Sequence, residues 1–194
     1  MLTAAILAGG HAVRFGGRDK GLLVVGGRTI LDRQLSELSQ IAGEVLLVGG
    51  ATTRPGIRVL DDLMANCGPL GGLHTALSAA QGSVTVVVAC DMPYVSAAFL
   101  AYLAGLADEV DAVVPRTERG YHPLCAAYTR DAIEPIARRV AAGRLKMTEL
   151  IADVRLRVVE AEEIDVFGDR HRLLANVNTP AEYDLLEALH THEL

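Results

Sequence analysis

The sequence predicts an α/β fold: a mostly parallel central sheet with helices on both faces. Apolar runs of strand length alternate with stretches of helical periodicity along the chain, the pattern of strand–helix–strand units. Several apolar runs are continuous rather than alternating, as in Val84-Thr85-Val86-Val87-Val88-Ala89, which reads as a strand buried on both faces. The first run leads directly into the glycines Gly9-Gly10, at the strand end where open α/β sheets place their ligands.

Strands are expected over residues 3–8, 44–49, 57–60, 84–89, 111–115, 124–128 and 155–159. Helices are expected over 29–42, 71–81, 97–107, 130–142 and 181–189. The last has a readable start, with Thr179 as N-cap, Pro180 in the first helical position and Glu182 in the third. That is a capping box, and it fixes the segment before it. The 194 residues are 51% hydrophobic, enough for one domain spanning 1–194. With 4% aromatics, branched and small aliphatics must fill the core. No internal repeat, low-complexity segment or linker is visible.

Composition excludes several classes. No apolar run reaches the ~18 residues of a membrane span, and the N-terminus lacks a basic start and a cleavage site. A cytoplasmic protein with no membrane partner is expected. The net charge of −6 argues against a broad basic face for nucleic acid. Cys67, Cys90 and Cys125 form no C-x-x-C pair, so neither a thiolate zinc site nor a disulfide framework is expected. Cys90 reads as a small apolar residue.

Five motifs carry candidate chemistry. Leu7-Ala8-Gly9-Gly10 follows the first strand and continues through Arg14 to Lys20. Glycines there let backbone N–H groups approach phosphate, and the two cations offset polyphosphate charge. The plainer reading is a tight turn with solvated basic residues. The spelling is neither a Walker loop, which needs G-K-[ST], nor the G-x-G-x-x-G dinucleotide fingerprint. Cys90-Asp91-Met92-Pro93 places a carboxylate at the end of a buried strand, suited to Mg²⁺, a hard cation that favours oxygen. The competing role, capping the next helix, fits Ser96 better. Asp61-Asp62 closes a short strand before Gly68-Pro69-Leu70-Gly71. Either acid can face a base, a ribose or a metal, or be a solvated pair. Asn176 and Asn178 lie two apart in an extended segment, so both amides face one side while Val177 points inward. Asx turns are the plainer reading. His122, in His122-Pro123-Leu124, is a candidate phosphate or pterin donor, or a residue held extended by proline. The run Arg138, Arg139, Arg144, Lys146 reads first as a solvated helix end, where cations suit the dipole, and second as a receiver for an anionic acceptor.

Together these elements resemble the molybdenum cofactor guanylyltransferase family. Its pattern runs L-A-G-G…R…D-K, a strand ending in aspartate before G-P-L-x-G, then C-D-M-P, H-P-L and N-x-N-T-P. This chain carries them in that order from Leu7 to Pro180. It departs at Ala12, where serine is usual, at Phe15, where methionine is usual, and by one extra residue before Asp19-Lys20.

The resemblance implies a Rossmann-like nucleotidyltransferase fold. It implies an enzyme that transfers GMP from GTP to the phosphate of the molybdenum–molybdopterin cofactor, releasing pyrophosphate, with Mg²⁺. Carried over, Leu7, Ala8, Gly9, Gly10, Lys20, Asp62 and Asp91 are nucleotide contacts, and Asp91 is the metal ligand. Arg14, Lys20 and Asp91 are taken as the catalytic set, Asn176 and Asn178 lie near the transferring group, and His122, on its own residue reading, joins them on the acceptor side. Substrate partners are GTP and the molybdopterin cofactor, with transient contact to cofactor-synthesis proteins or molybdoenzyme chaperones. Two rivals stay open: a cytidylyltransferase acting on molybdopterin or another small phosphate, and a nucleotide-binding module without catalysis.

Overall fold

The computed structural model describes residues 1–8, 20–50, 55–64, 66–179 and 182–183. Among these, the strands are β1 (Leu2–Leu7), β2 (Val24–Val25), β3 (Arg28–Thr29), β4 (Glu44–Val48), β5 (Ile57–Leu60), β6 (Val84–Ala89), β7 (Ala112–Thr117), β8 (Gly120–Tyr121), β9 (Cys125–Thr129) and β10 (Leu156–Val159). The helices are α1 (Ile30–Leu38), α2 (Gly68–Ala79), α3 (Ala97–Gly105), α4 (Ile133–Ala141) and the single turns α5 (Ala161–Ile164) and α6 (Arg170–Leu173). The main sheet runs β10-β7-β9-β6-β1-β4-β5, with β8 paired to β7; β2 and β3 form a separate hairpin.

Side-chain alternation divides the core into two layers. Ala4 and Ile6 of β1, Val45 and Leu47 of β4 and Val86 and Val88 of β6 face one side, where α1 supplies Leu31 and Leu38 and α3 supplies Phe99, Leu100 and Leu103. Ala5, Leu7, Leu46, Val48 and Val87 face the other, against Leu70, Leu73 and Leu77 of α2 and Ile136 of α4. A strand's period of two produces this split directly. Fully burying one such large aliphatic is worth about 1.5–3 kcal/mol, so both faces must be covered.

All seven expected strands form, but β9 is antiparallel to both neighbours, β6 and β7, in a sheet otherwise parallel through β6, β1, β4 and β5. An apolar run carries no direction, so the sequence could not give this. The consequence is spatial. Cys125 at the start of β9 lies opposite Val88 at the end of β6. The residues just before β9 therefore sit beside those just after β6.

Helix boundaries moved for identifiable reasons. Helix α2 begins at Gly68, three residues before the expected Gly71, because Pro69 suits the first turn. Gly68 itself has φ +58, a left-handed conformation that favours glycine. Ser96 caps α3, accepting from Phe99 N at 3.4 Å. No helix among the described residues is long and apolar enough to cross a membrane.

Candidate active site

The end of β6 is held from four directions. Cys90 N donates to Leu7 O at 3.1 Å, and Met92 N closes a turn onto Ala89 O at 3.3 Å. Gln34 Nε2, from α1, donates to Ala89 O at 2.7 Å and Met92 O at 3.0 Å. Val177 N donates to Asp91 O at 2.9 Å. Asp91 is thus carried on a fixed turn at the carboxyl end of a central strand. Its side chain is 13% exposed.

Lys20 opens a short 3₁₀ turn, Lys20–Leu22. Its Nζ donates to Asp91 Oδ2 at 3.0 Å and to Asn178 Oδ1 at 3.1 Å. Three residues from distant parts of the chain therefore meet at one ammonium. The Asn178 side is anchored by the expected capping box. Glu182 Oε2 accepts from Thr179 N at 2.9 Å and Asn178 N at 2.6 Å, while Glu182 N donates to Thr179 Oγ1 at 3.2 Å. Val177 is fully buried beside Val25 and Ile30, so Asn176 and Asn178 face away from it together.

Both asparagines line a cavity of about 400 Å³ with Asp91, Pro69, His122 and Leu124, within the ~300–1,000 Å³ range of small-molecule sites. Its far wall comes from Tyr121, Leu145, Met147 and Thr148. Sequence reading missed these wall residues. Short turns and loops of mixed polarity carry no periodic signal. His122 donates its backbone N–H to Pro115 O at 2.8 Å, and its Nε2 lies 2.9 Å from Thr117 Oγ1. Burial, with the nearby Arg119 charge adding to it, lowers the His122 pKa, so the ring is neutral at physiological pH.

The other candidates fall in different places. Gly9, Gly10 and Arg14 lie outside the described residues, as does most of the helix expected over 181–189. Leu7 O accepts from Cys90 N, and Ala8 N donates to Val48 O at 2.9 Å, so these backbone groups serve the sheet. Asp62 is not a solvated acid: its Oδ1 accepts from Met64 N at 3.0 Å and Thr75 Oγ1 at 3.1 Å. A side chain on Gly71 would meet Met64 O at 2.8 Å, so α2 packs closely under this loop. Asp62 follows β5, at the same sheet edge as Asp91 but three strands away. In the basic run, Arg139 is 3% exposed and bonded to Asp153 at 2.5 Å and Glu149 at 2.8 Å, which makes it structural. Arg138 approaches Glu134 at 3.9 Å and Lys146 approaches Glu149 at 3.6 Å on the surface, in keeping with a solvated helix end.

For a divalent cation the relevant atom is Asp91 Oδ1, which is buried and has no hydrogen-bond partner among the described residues. A buried carboxylate oxygen without a donor calls for one. No group of three or more His, Cys, Asp or Glu suited to a metal occurs among the described residues. The oxygens that meet here are those of the Asp91 carboxylate and the Asn178 carboxamide. That fits Mg²⁺, which typically takes one or two protein carboxylates and completes its shell with water and substrate phosphate.

The sequence matches the MobA-like NTP transferase domain over residues 4–159. The chain belongs to this family. It is therefore an enzyme of the nucleotidyltransferase class. A probable molybdenum cofactor guanylyltransferase of Pelotomaculum thermopropionicum is 35% identical over 189 residues, covering 96% of this chain and 91% of the relative. A molybdenum cofactor guanylyltransferase of Desulfosudis oleivorans is 29% identical over 191 residues, covering 96% and 95%. Among solved structures, molybdopterin-guanine dinucleotide biosynthesis protein A of Archaeoglobus fulgidus aligns with TM-score 0.84 at 24% identity, covering 98% of this chain and 99% of that one. The 2-C-methyl-D-erythritol 4-phosphate cytidylyltransferase of Thermus thermophilus aligns with TM-score 0.68 at 19% identity, covering 96% and 98%. These last two likenesses establish the fold.

Proposed function

We propose that this protein transfers GMP from GTP to the phosphate of molybdenum–molybdopterin, giving the guanine dinucleotide cofactor and pyrophosphate. The observation that carries the reading is the junction of Lys20, Asp91 and Asn178 at the rim of a cavity that His122 and Asn176 also line. The names of the full-length relatives support guanylyl transfer and the molybdenum cofactor as acceptor.

The acceptor phosphate is itself the nucleophile, so the protein needs none. One of its oxygens bonds to the α-phosphorus of GTP, and the bond from that phosphorus to the bridging oxygen of pyrophosphate breaks. The obstacle is bringing two anions together. Lys20 supplies a positive charge beside the reacting groups, where water is partly excluded and charge acts more strongly. Asp91 and Asn178 would hold Mg²⁺, which when bound neutralises polyphosphate charge. Asn176 and Asn178 present amides along the same wall and orient phosphate oxygens, so the two substrates are held in line. With Thr117 Oγ1 donating to Nε2, the neutral His122 ring keeps its Nδ1–H to donate to the acceptor phosphate. Arg14 and the Gly9-Gly10 loop complete the cationic cradle in this reading, and Asp62 contacts the nucleoside.

The decisive assay offers each of the four NTPs with Mg²⁺ and molybdenum cofactor and identifies the nucleotide attached. GMP attachment with release of pyrophosphate is expected. Incorporation from CTP equal to or better than from GTP would replace this reading with the cytidylyl one. Absence of pyrophosphate with every NTP would overturn the molybdenum cofactor as acceptor.

A further inference from the structure

We infer that Gln34 is a positioning residue for the Asp91 turn, setting the geometry of the site through two backbone carbonyls. The inference rests on the reading of Asp91 as the nucleotide- and metal-facing carboxylate. Gln34 lies on α1, on the stripe of Ile30, Leu31 and Leu38 that packs into the core, and it is fully buried. A carboxamide at such a position is out of pattern on an otherwise apolar face.

The contacts explain the choice. Ala89 and Met92 flank Cys90-Asp91, and Gln34 Nε2 donates to both of their carbonyls, at 2.7 Å and 3.0 Å. The turn's own bond, Met92 N to Ala89 O, is longer at 3.3 Å. A turn closed by one long bond is soft, and the bridging amide stiffens it. The amide orientation is settled by chemistry: reversed, the side-chain oxygen would face two carbonyl oxygens.

Gln34 Oε1 is buried and has no hydrogen-bond partner among the described residues. An unpaired buried oxygen works against stability. An apolar side chain here, like those of its stripe neighbours, would remove this donor from Ala89 O and Met92 O. Gln34 supplies the two donors that the turn requires and carries an unpaired oxygen as a consequence.

The test uses Gln34→Met, which keeps length and volume without donors, and Gln34→Glu, whose donor depends on protonation. A buried carboxyl is pushed toward its neutral form. When neutral it can donate to one carbonyl, and when ionised it repels both. Melting temperature, kcat, KM for GTP and half-saturating Mg²⁺ are measured for each, with Asp91→Asn as reference. Gln34→Met is expected to lower kcat at least tenfold and to raise the Mg²⁺ requirement, with a smaller change in KM for GTP. The ratio of Gln34→Glu to parent turnover is expected to fall as pH rises. A purely structural glutamine would lower the melting temperature and leave these ratios flat, which would overturn the inference. Loss of folding in both variants would overturn it too, by making Gln34 a determinant of the fold. An unimpaired Asp91→Asn would remove the reading of Asp91 itself, and is distinguishable because Gln34→Met is scored separately.

Discussion

Lys20 and Asp91, 71 residues apart in sequence, form an ion pair at 3.0 Å whose ammonium also reaches Asn178 at 3.1 Å. The lysine engages Asp91 Oδ2 and leaves the buried Oδ1 without a hydrogen-bond partner among the described residues. The pair is about one-fifth exposed on the lysine side and less on the aspartate side, so water screens it incompletely. On the proposed function, the ammonium would move to substrate phosphate and Asp91 would hold the Mg²⁺.

Lys20→Ala removes a cation from both arrangements. It is expected to lower kcat/KM about a hundredfold, comparable to the loss of one preorganised donor at a transition state, and to weaken GTP binding. Isothermal titration with GTP and steady-state kinetics check this. Unchanged affinity together with unchanged turnover would reduce Lys20 to a partner that merely keeps Asp91 in place.

Asp91→Asn keeps the size of the side chain and the backbone bond from Val177 N to Asp91 O, so the fold should persist. The negative charge that would hold Mg²⁺ in the proposed function is lost, and turnover is expected to fall by several orders of magnitude, in line with the several kcal/mol of charge stabilisation such a site supplies. Added Mg²⁺ should recover part of the rate. A folded variant with parent turnover and parent Mg²⁺ dependence would send the search for the metal ligand to Asp61 and Asp62.

Much of this was legible in the sequence, and the exceptions have physical causes. The run Val84–Ala89 announced a central strand because burial on both faces removes alternation, and Asp91 followed from its position just past that strand. The capping box of Thr179 and Glu182 was readable because it depends on three neighbouring residues. The direction of β9 was not, since hydrogen-bond polarity leaves no trace in hydrophobicity. Without it, the sharing of one cavity by His122 and Asp91 could not be derived. Asp62 read equally as a ligand contact or a solvated acid, because its partner Thr75 lies 13 residues on, across a loop. Gln34 was not singled out in the sequence, because its two carbonyl acceptors lie 55 and 58 residues away.

Asn176→Asp and Asn178→Asp each introduce an anion on the cavity wall. Both are expected to slow transfer tenfold or more at saturating GTP, with the larger effect for Asn178→Asp, which adds a second carboxylate against Lys20. Thermal melts run beside the kinetics separate the two explanations. A lower melting temperature with parent turnover would make the pair a structural turn.

Arg139 offers a contrast between structure and site. It is 3% exposed and bonded to Asp153 and Glu149. The Arg139→Met variant is expected to lose about 1–3 kcal/mol of stability, the range for hydrogen bonds to charged groups, measured by urea unfolding. Its kinetic constants for the acceptor should match the parent. A raised acceptor KM in a stably folded variant would instead bring this basic run into the acceptor site.

His122 makes a pH prediction whose sign follows from its surroundings. Burial, then the Arg119 charge, lowers its folded pKa below the ordinary value of 6.5. The unfolded chain therefore takes up the proton first as pH falls, and protonation favours unfolding. The contribution of neutral His122 is fully present above about pH 6.5, declines as pH drops toward the folded value, and is gone below it. His122→Gln retains a polar group within reach of Thr117 Oγ1 but does not titrate. Between about pH 7.5 and pH 5.5 the parent should lose more stability than the variant, read as the shift in urea midpoint at each pH. Parallel losses in the two proteins would mean that His122 titrates alike in the folded and unfolded chain. The ring would then be charged rather than neutral when the acceptor phosphate arrives at mildly acid pH.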